Sequence, residues 1–367
     1  MKVLIIGIEN DGAVSKIIKE TLALFPKDKK YDFFCCGLGE GQKKIENNIS
    51  FQTIKLPRLN DLFVKVRRKI LLFLKKDHYL VYWKSIYKKT SKIVEEIAPD
   101  IIVSVSGPFS YMKAGFELAK NNNLPLFLIF FDPFKDNYNI VNKQKAIEEA
   151  KKWCDYATEI FYDADTKVPV NGIEKKLTSF LIPIFESNES NKRNNEIIYG
   201  GSFYKGFREP SVLANFINAQ KETNVEYKVF TDKKDSLIIQ RMLINKNVSF
   251  FEPIDEVSFN KICDKALGII VIGNANQNAT IPSKVLEAIG HKKPIIGINF
   301  GKKLYYIDKY PFFFDGNDEN AVNRILNIDT KALSEYDIFH NFPERRPLLF
   351  VDKLIKAFDS VGERNEK

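Results

Sequence analysis

The chain has 367 residues, 44% of them hydrophobic and 28% charged, with 18 Gly and 15 Pro. That length suits about two domains with a core each, and the composition excludes collagen-like, low-complexity and generally disordered proteins. The net charge of +9 is concentrated, because ten basic residues stand between Asp61 and Ile93 against only Asp61 and Asp77, so an electrostatic partner is expected at that segment alone.

Val3-Leu4-Ile5-Ile6 ends in Gly7 with no small-residue cleavage site, and reads as a first strand rather than a signal peptide. A loop follows over Ile8-Glu9-Asn10-Asp11-Gly12. Val14, Ile17, Ile18, Leu22 and Phe25 then define one helical face. Strands are predicted over 32–36 and 49–54.

In the basic segment, Leu62, Phe63, Val66, Ile70, Phe73 and Leu74 recur at helical offsets beside Lys65, Arg68, Lys69, Lys75 and Lys76. Tyr79, Tyr82, Trp83 and Tyr87 are mixed with Lys84, Lys88 and Lys89. This is the pattern of a helix in an anionic lipid interface, where each basic residue contributes about 1 kcal/mol. The alternative is an apolar face packed on a sheet with its basic face solvated. Single-stranded nucleic acid is the weakest reading, since no RNA-binding signature accompanies the aromatics, and no nucleic-acid partner is expected.

A strand over 101–105, a helix near 111–121 and a strand over 126–131 come next. The last of these lies in the longest apolar run, which Asp132 ends far short of the ~20 residues a membrane span needs. Cys35, Cys36, Cys154 and Cys263 form neither a disulfide framework nor a CxxC pair. Reduced thiols are expected, in a cytoplasmic protein that is free or peripheral at the inner face of a membrane.

Residues 186–195 are wholly polar and read as a linker. The pattern restarts with strands over 197–199, 227–230, 248–251, 268–272 and 294–298, with helical stretches between them. Continuously apolar strands alternating with helices predict an α/β protein of two Rossmann-like, doubly wound domains facing across a cleft. The first spans 1–185 and the second 196–345. A helix in 346–367 either ends the second domain or crosses back to the first.

Neither domain carries GxGxxG or GxxxxGK[ST], so no nicotinamide or flavin cofactor is expected and a Walker-type nucleotidase is disfavoured. No metal site is indicated either. In Thr280-Ile281-Pro282-Ser283-Lys284-Val285-Leu286-Glu287, Thr280 can cap a helix, Pro282 suits its first turn and Gly290 closes it. Amides at that helix start, with the Ser283 hydroxyl and the Lys284 ammonium, suit a diphosphate. Glu287, one turn on, can accept hydrogen bonds from a ribose diol. In Tyr199-Gly200-Gly201-Ser202-Phe203-Tyr204 the glycines admit close approach of a ligand, and Lys205 and Arg208 supply charge. Each stretch also has a plain structural reading, as a capped surface helix and a Gly-Gly turn.

Taken in order, these segments resemble the GT-B nucleotide-sugar glycosyltransferases, specifically the retaining, family-4-like enzymes of surface polysaccharide assembly. The match rests on Tyr199-Gly200-Gly201-Ser202 with Arg208, on Pro282-Ser283-Lys284 with Glu287, and on 99–108 leading to Phe131-Asp132-Pro133-Phe134. The resemblance implies a nucleotide-sugar donor held by Gly201, Ser202, Arg208, Thr280, Ser283, Lys284 and Glu287. It also implies a glycan or lipid-linked acceptor. Arg208 and Lys284 would stabilise the leaving diphosphate. Asp132, at the end of a first-domain strand, is the candidate catalytic carboxylate, contacting the acceptor or the donor sugar, and Asp11 and Gly12 join it on the acceptor side. Many relatives carry a donor-sugar Glu eight residues before Glu287, where this chain has Ala279. Two alternatives remain open: a catalytically degenerate partner of another transferase, and a nucleotide-sugar epimerase.

Overall fold

A computed structural model describes residues 1–9, 12–27, 31–39, 41, 43–46, 49–55, 82–107, 109–131, 143–165, 177–187, 193–204, 208–221, 224–244, 246–273, 282–300 and 309–365. Asp11, Asp132, Ala279, Thr280, Lys205 and residues 61–81 of the basic segment lie outside them. The chain divides into two units. One comprises residues 1–182 with 347–367, and the other residues 183–346.

The first unit is built on an eight-stranded sheet. Its strands are β1 (Lys2–Ile6), β2 (Asp32–Leu38), β3 (Lys43–Glu46), β4 (Ile49–Ile54), β5 (Ile101–Val105), β6 (Leu126–Phe130), β7 (Glu159–Asp163) and β8 (Leu177–Phe180), in the order β3-β4-β2-β1-β5-β6-β7-β8. All neighbours are parallel except the β3–β4 pair at the edge. Strands β5 and β6 are buried throughout and β1 nearly so. Such strands need cover on both faces, which explains their unbroken Val/Ile/Leu/Phe runs.

That cover comes from α1 (Ala13–Ala23), α2 (Trp83–Ile97), α3 (Ser110–Asn122), α4 (Lys143–Tyr156) and a final helix. In α2 the buried residues are Ile86, Thr90, Ile93 and Val94, one face at helical spacing, while Lys84, Lys88, Lys89 and Lys92 are exposed. The described part of the basic segment therefore packs its apolar side and solvates its lysines.

In the second unit all strand pairs are parallel. Strands β9 (Glu196–Gly200), β10 (Glu226–Phe230), β11 (Val248–Phe251), β12 (Gly268–Ile272), β13 (Ile295–Ile298) and β14 (Phe313–Asp315) run in the order β11-β10-β9-β12-β13-β14. Helices α5 (Pro210–Ala219), α6 (Lys233–Met242), α7 (Glu256–Lys265) and α8 (Ser283–Gly290) connect successive strands, and three short ones, α9 (Ala321–Leu326), α10 (Thr330–Ser334) and α11 (Ile338–Asn341), follow the sheet. Asp232 and Asp255 cap α6 and α7 by accepting the N–H groups of Asp235 and Ser258.

The final helix, α12 (Pro347–Asn365), belongs to the first unit. Its Phe358 ring is buried against Phe127 of β6 (5.3 Å between centroids), Tyr31 (5.9 Å) and Phe25 (6.3 Å). Tyr31 also donates a hydrogen bond to Asp359. An aromatic cluster this well enclosed carries much of the helix's attachment. Truncating Phe358 to Ala is expected to cost about 3–5 kcal/mol, read as a lower urea midpoint for the first unit. A loss below about 1 kcal/mol would show that the cluster does not hold the helix.

Candidate functional site

A parallel sheet offers a ligand its best opening where the strand order reverses, just beyond the carboxyl ends of the strands. In the second unit the order reverses between β9 and β12. The Gly200-Gly201 step ends β9, and α8 begins ten residues after the last described residue beyond β12, Gly273.

Four of the residues singled out from sequence, with Tyr199, form a neighbourhood at this edge. A Cβ at Gly201 would lie 3.3 Å from the Tyr199 Oη and 3.8 Å from the Lys284 Cε, so the glycine separates a phenol from a lysine stem. The Gly201 N–H donates to the Phe230 carbonyl (3.2 Å), which leaves Gly201 to provide room rather than a donor. A Cβ at Gly200 would come within 2.2 Å of the Phe259 ring, so this position has no space for a side chain. The Lys284 ammonium lies 5.3 Å from the centroid of the same ring, and this cation–π contact holds it on the Gly200 side.

Arg208 is fixed by backbone pairing with Tyr204. Tyr204 and Arg208 exchange backbone N–H···O bonds of 2.8 Å in both directions. The Arg208 guanidinium carbon lies 5.9 Å from the Tyr204 ring centroid, and the guanidinium lies beside the Tyr199 hydroxyl. Burial pushes the Tyr199 phenol up, and Arg208 opposes that shift, so the hydroxyl stays protonated. Tyr199 stacks on Phe203 at 5.1 Å, and the Phe203 N–H bonds the Asp235 carboxylate. Burial and the neighbouring Asp232 push the Asp235 carboxyl up. Phe259 and Asp235 carry no motif signal, because they arrive from helices that only the topology brings to this edge.

Helix α8 starts at Ser283, with Pro282 in the cap position at φ −57°, ψ 129° and no capping side chain. Pro282 thus stands just outside the helix rather than in the first turn expected from its sequence, because its ψ is extended. Val285, Leu286, Ala288 and Ile289 are buried, while Ser283, Lys284 and Glu287 share the half-buried side. Ser202 is exposed next to Gly201.

In the first unit the order reverses between β1 and β5. Gly12 caps α1 at φ +122°, is exposed, and has nothing within 4 Å of where a Cβ would stand. Among the described residues no cluster of His, Cys, Asp and Glu has metal-ligand geometry, and no helix is long and apolar enough to cross a membrane.

A second polar group sits at the opposite, amino-terminal edge of the second sheet. The Asp264 carboxylate, at the end of α7, accepts the Ser187 hydroxyl (2.7 Å) and pairs with the His291 Nδ1 (2.5 Å). Lys293, before β13, is buried near Asp264 and Arg193. Burial, together with the Arg193 charge, pushes its ammonium down to about 8.

No protein-family profile matches the sequence, and no curated protein resembles it in sequence. Among solved structures, Anabaena HepE in complex with UDP-glucose superposes with a TM-score of 0.65 at 11% identity, over 98% of this chain and all of that one. The lipopolysaccharide outer core galactosyltransferase WaaB, in its apo form, gives 0.53 at 12% identity, over 98% and 99%. UDP-GlcNAc 2-epimerase from Neisseria meningitidis, bound to UDP-GlcNAc, gives 0.52 at 12% identity, over 97% and 100%. Together with the two parallel-sheet units, these likenesses establish the GT-B fold.

The Lys293 shift has a readable consequence. Its folded value lies below the unfolded one near 10.5, so native stability is full above that value, falls as pH drops towards about 8, and is flat below. Lys293→Met is expected to raise the thermal midpoint at pH 7 by roughly 2–4 °C per kcal/mol regained, with the gap closing above pH 10.5. A gap independent of pH would refute the buried-ammonium account.

Proposed function

We propose that the chain is a glycosyltransferase that moves a sugar from a nucleoside-diphosphate donor to a glycan or lipid-linked acceptor. The observation that carries this reading is the meeting of Arg208, Lys284 and the Gly200-Gly201 step at the reversal point of the second sheet. Two cations beside a backbone stripped of side chains suit a diphosphate, whose charge grows as the glycosidic bond breaks.

Lys284 and Arg208 neutralise that leaving group. Ser202, Ser283, Thr280 and the uncapped amides of α8 hydrogen-bond its oxygens. Gly201 makes room for it, and Glu287 accepts the ribose hydroxyls. Uridine is the preferred base, because HepE and the epimerase bind UDP or UDP-sugars on this fold. Asp11, Gly12 and Asp132 serve the acceptor. A retaining outcome, a hexosyl donor and a place in surface polysaccharide synthesis follow from the family resemblance. The lysines of 61–93 seat the protein on anionic lipid, next to a lipid-linked acceptor.

A second reading is a nucleotide-sugar epimerase, favoured by the likeness to UDP-GlcNAc 2-epimerase. Incubation with a UDP-sugar alone, with the sugar identified by NMR, separates the two, because an epimerase inverts a stereocentre of the sugar and a transferase leaves its ring configuration unchanged.

Calorimetric titration with UDP tests the donor site. Arg208→Ala and Lys284→Ala, each folded as judged by circular dichroism, are expected to weaken UDP binding roughly 10- to 100-fold. Unchanged affinity in both removes the assignment. Co-sedimentation with phosphatidylglycerol vesicles is expected to fall when Lys84, Lys88, Lys89 and Lys92 are changed to Gln, and to fall with added salt. Binding indifferent to both excludes the lipid surface.

A further inference from the structure

At the reversal point of the first sheet stands a carboxyl group apart from the donor-site residues. Glu9 lies three residues past β1, in the loop that runs to α1. The turn into that loop is tight. Gly7 has φ +113°, and a Cβ there would come within 2.8 Å of the Val105 carbonyl and 3.2 Å of the Tyr111 ring. Only glycine lets the chain bend so closely over Tyr111.

Tyr111 itself is fully buried in α3. Its Oη donates to the Glu9 Oε1 (2.6 Å) and accepts the Leu38 N–H from the end of β2 (2.8 Å). The Glu9 backbone N–H donates to the Ser15 Oγ in α1 (2.9 Å). One carboxyl is thus fixed by β2, α3 and α1 together. Burial pushes it up, while the Tyr111 hydrogen bond opposes the shift.

Among the described residues no lysine or arginine pairs with Glu9, and nothing donates to its Oε2. A tie between a loop and a tyrosine needs only one oxygen, and an amide supplies it without desolvating a charge. Gly12 and Gly107, after β1 and β5 at the same edge, are exposed at positive φ, with nothing within 4 Å of where a Cβ would stand.

We propose that Glu9 is an acceptor-binding residue, whose Oε2 takes the hydrogen bond of a hydroxyl on a sugar-like polyol held at the first unit, with Tyr111 as its positioning residue. The proposal rests on the glycosyltransferase reading and adds a residue that it does not contain. No bond to carbon is made or broken by Glu9 in this role; it aligns the hydroxyl by accepting from it.

The test uses the full chain, with methyl glucoside and methyl galactoside as probes in saturation-transfer NMR, and UDP titrated in parallel. Glu9→Gln keeps an oxygen for Tyr111 but presents an N–H where Oε2 accepted. Its thermal midpoint is expected to be unchanged or higher, since a desolvated carboxyl is removed. Glycoside affinity is expected to fall roughly 10- to 100-fold while UDP affinity stays constant. Tyr111→Phe is expected to weaken glycoside binding as well, again sparing UDP. Equal glycoside binding by wild type and Glu9→Gln, or no glycoside binding by wild type, overturns the proposal. Loss of UDP binding by wild type would instead strike the donor reading, which keeps the two failures apart.

Discussion

Strand β9 imposes the constraint from which the second unit's candidate site follows. It lies at the centre of a wholly parallel sheet that grows first to one side, through β10 and β11, and then to the other, through β12 to β14. Parallel neighbours force each connection to return across a face of the sheet, so helices cover both faces. At the point of reversal, the flanking connections diverge to opposite faces of the sheet. The residues there must be small, because α7 sends Phe259 across Gly200 and α8 sends the Lys284 stem past Gly201. The same crowding that forbids a side chain on the strand end positions the lysine beside it.

The two units use their carboxyl groups differently, Asp264 being buried and Glu9 half-buried. Asp264 accepts from Ser187 and faces His291, with Lys293 close by. Its neighbours are hydroxyl, imidazole and ammonium groups, and it fastens 183–187 to the base of the second sheet. Glu9 has a phenol and a backbone tie instead, at the opposite kind of edge, beyond the carboxyl ends of its strands. Conserving charge at the amino-terminal edge of a parallel sheet serves architecture. A carboxyl at the carboxyl-terminal edge is placed where ligands of such sheets bind.

Much of the fold was legible because the central strands are unbroken β-branched and aromatic runs. Strands β1, β5, β6, β9 and β12 each announce themselves this way, and Gly-Gly and Pro-Ser-Lys mark the end of β9 and the start of α8. The strands missed were of another kind. Lys43–Glu46 is an antiparallel edge with charged residues, Glu159–Asp163 and Leu177–Phe180 mix polar with apolar positions, and Phe313–Asp315 is only three residues long, so period and composition gave no contrast with loops. Local motifs singled out Gly201, Arg208 and Lys284, which the fold brings to one strand end. Phe259, Asp235 and the Glu9–Tyr111 pair depend on contacts across 32 to 102 positions, which no local pattern encodes.

The return of Pro347–Asn365 to the first unit has a consequence for biogenesis. Residues 183–346 are an insertion within a discontinuous body, and that body lacks one wall until residues 347–365 have been made. Phe25 and Phe127, which pack on Phe358, lack that partner through the synthesis of the whole inserted unit. The nascent first unit therefore waits roughly 8–33 s for its closing helix at typical elongation rates.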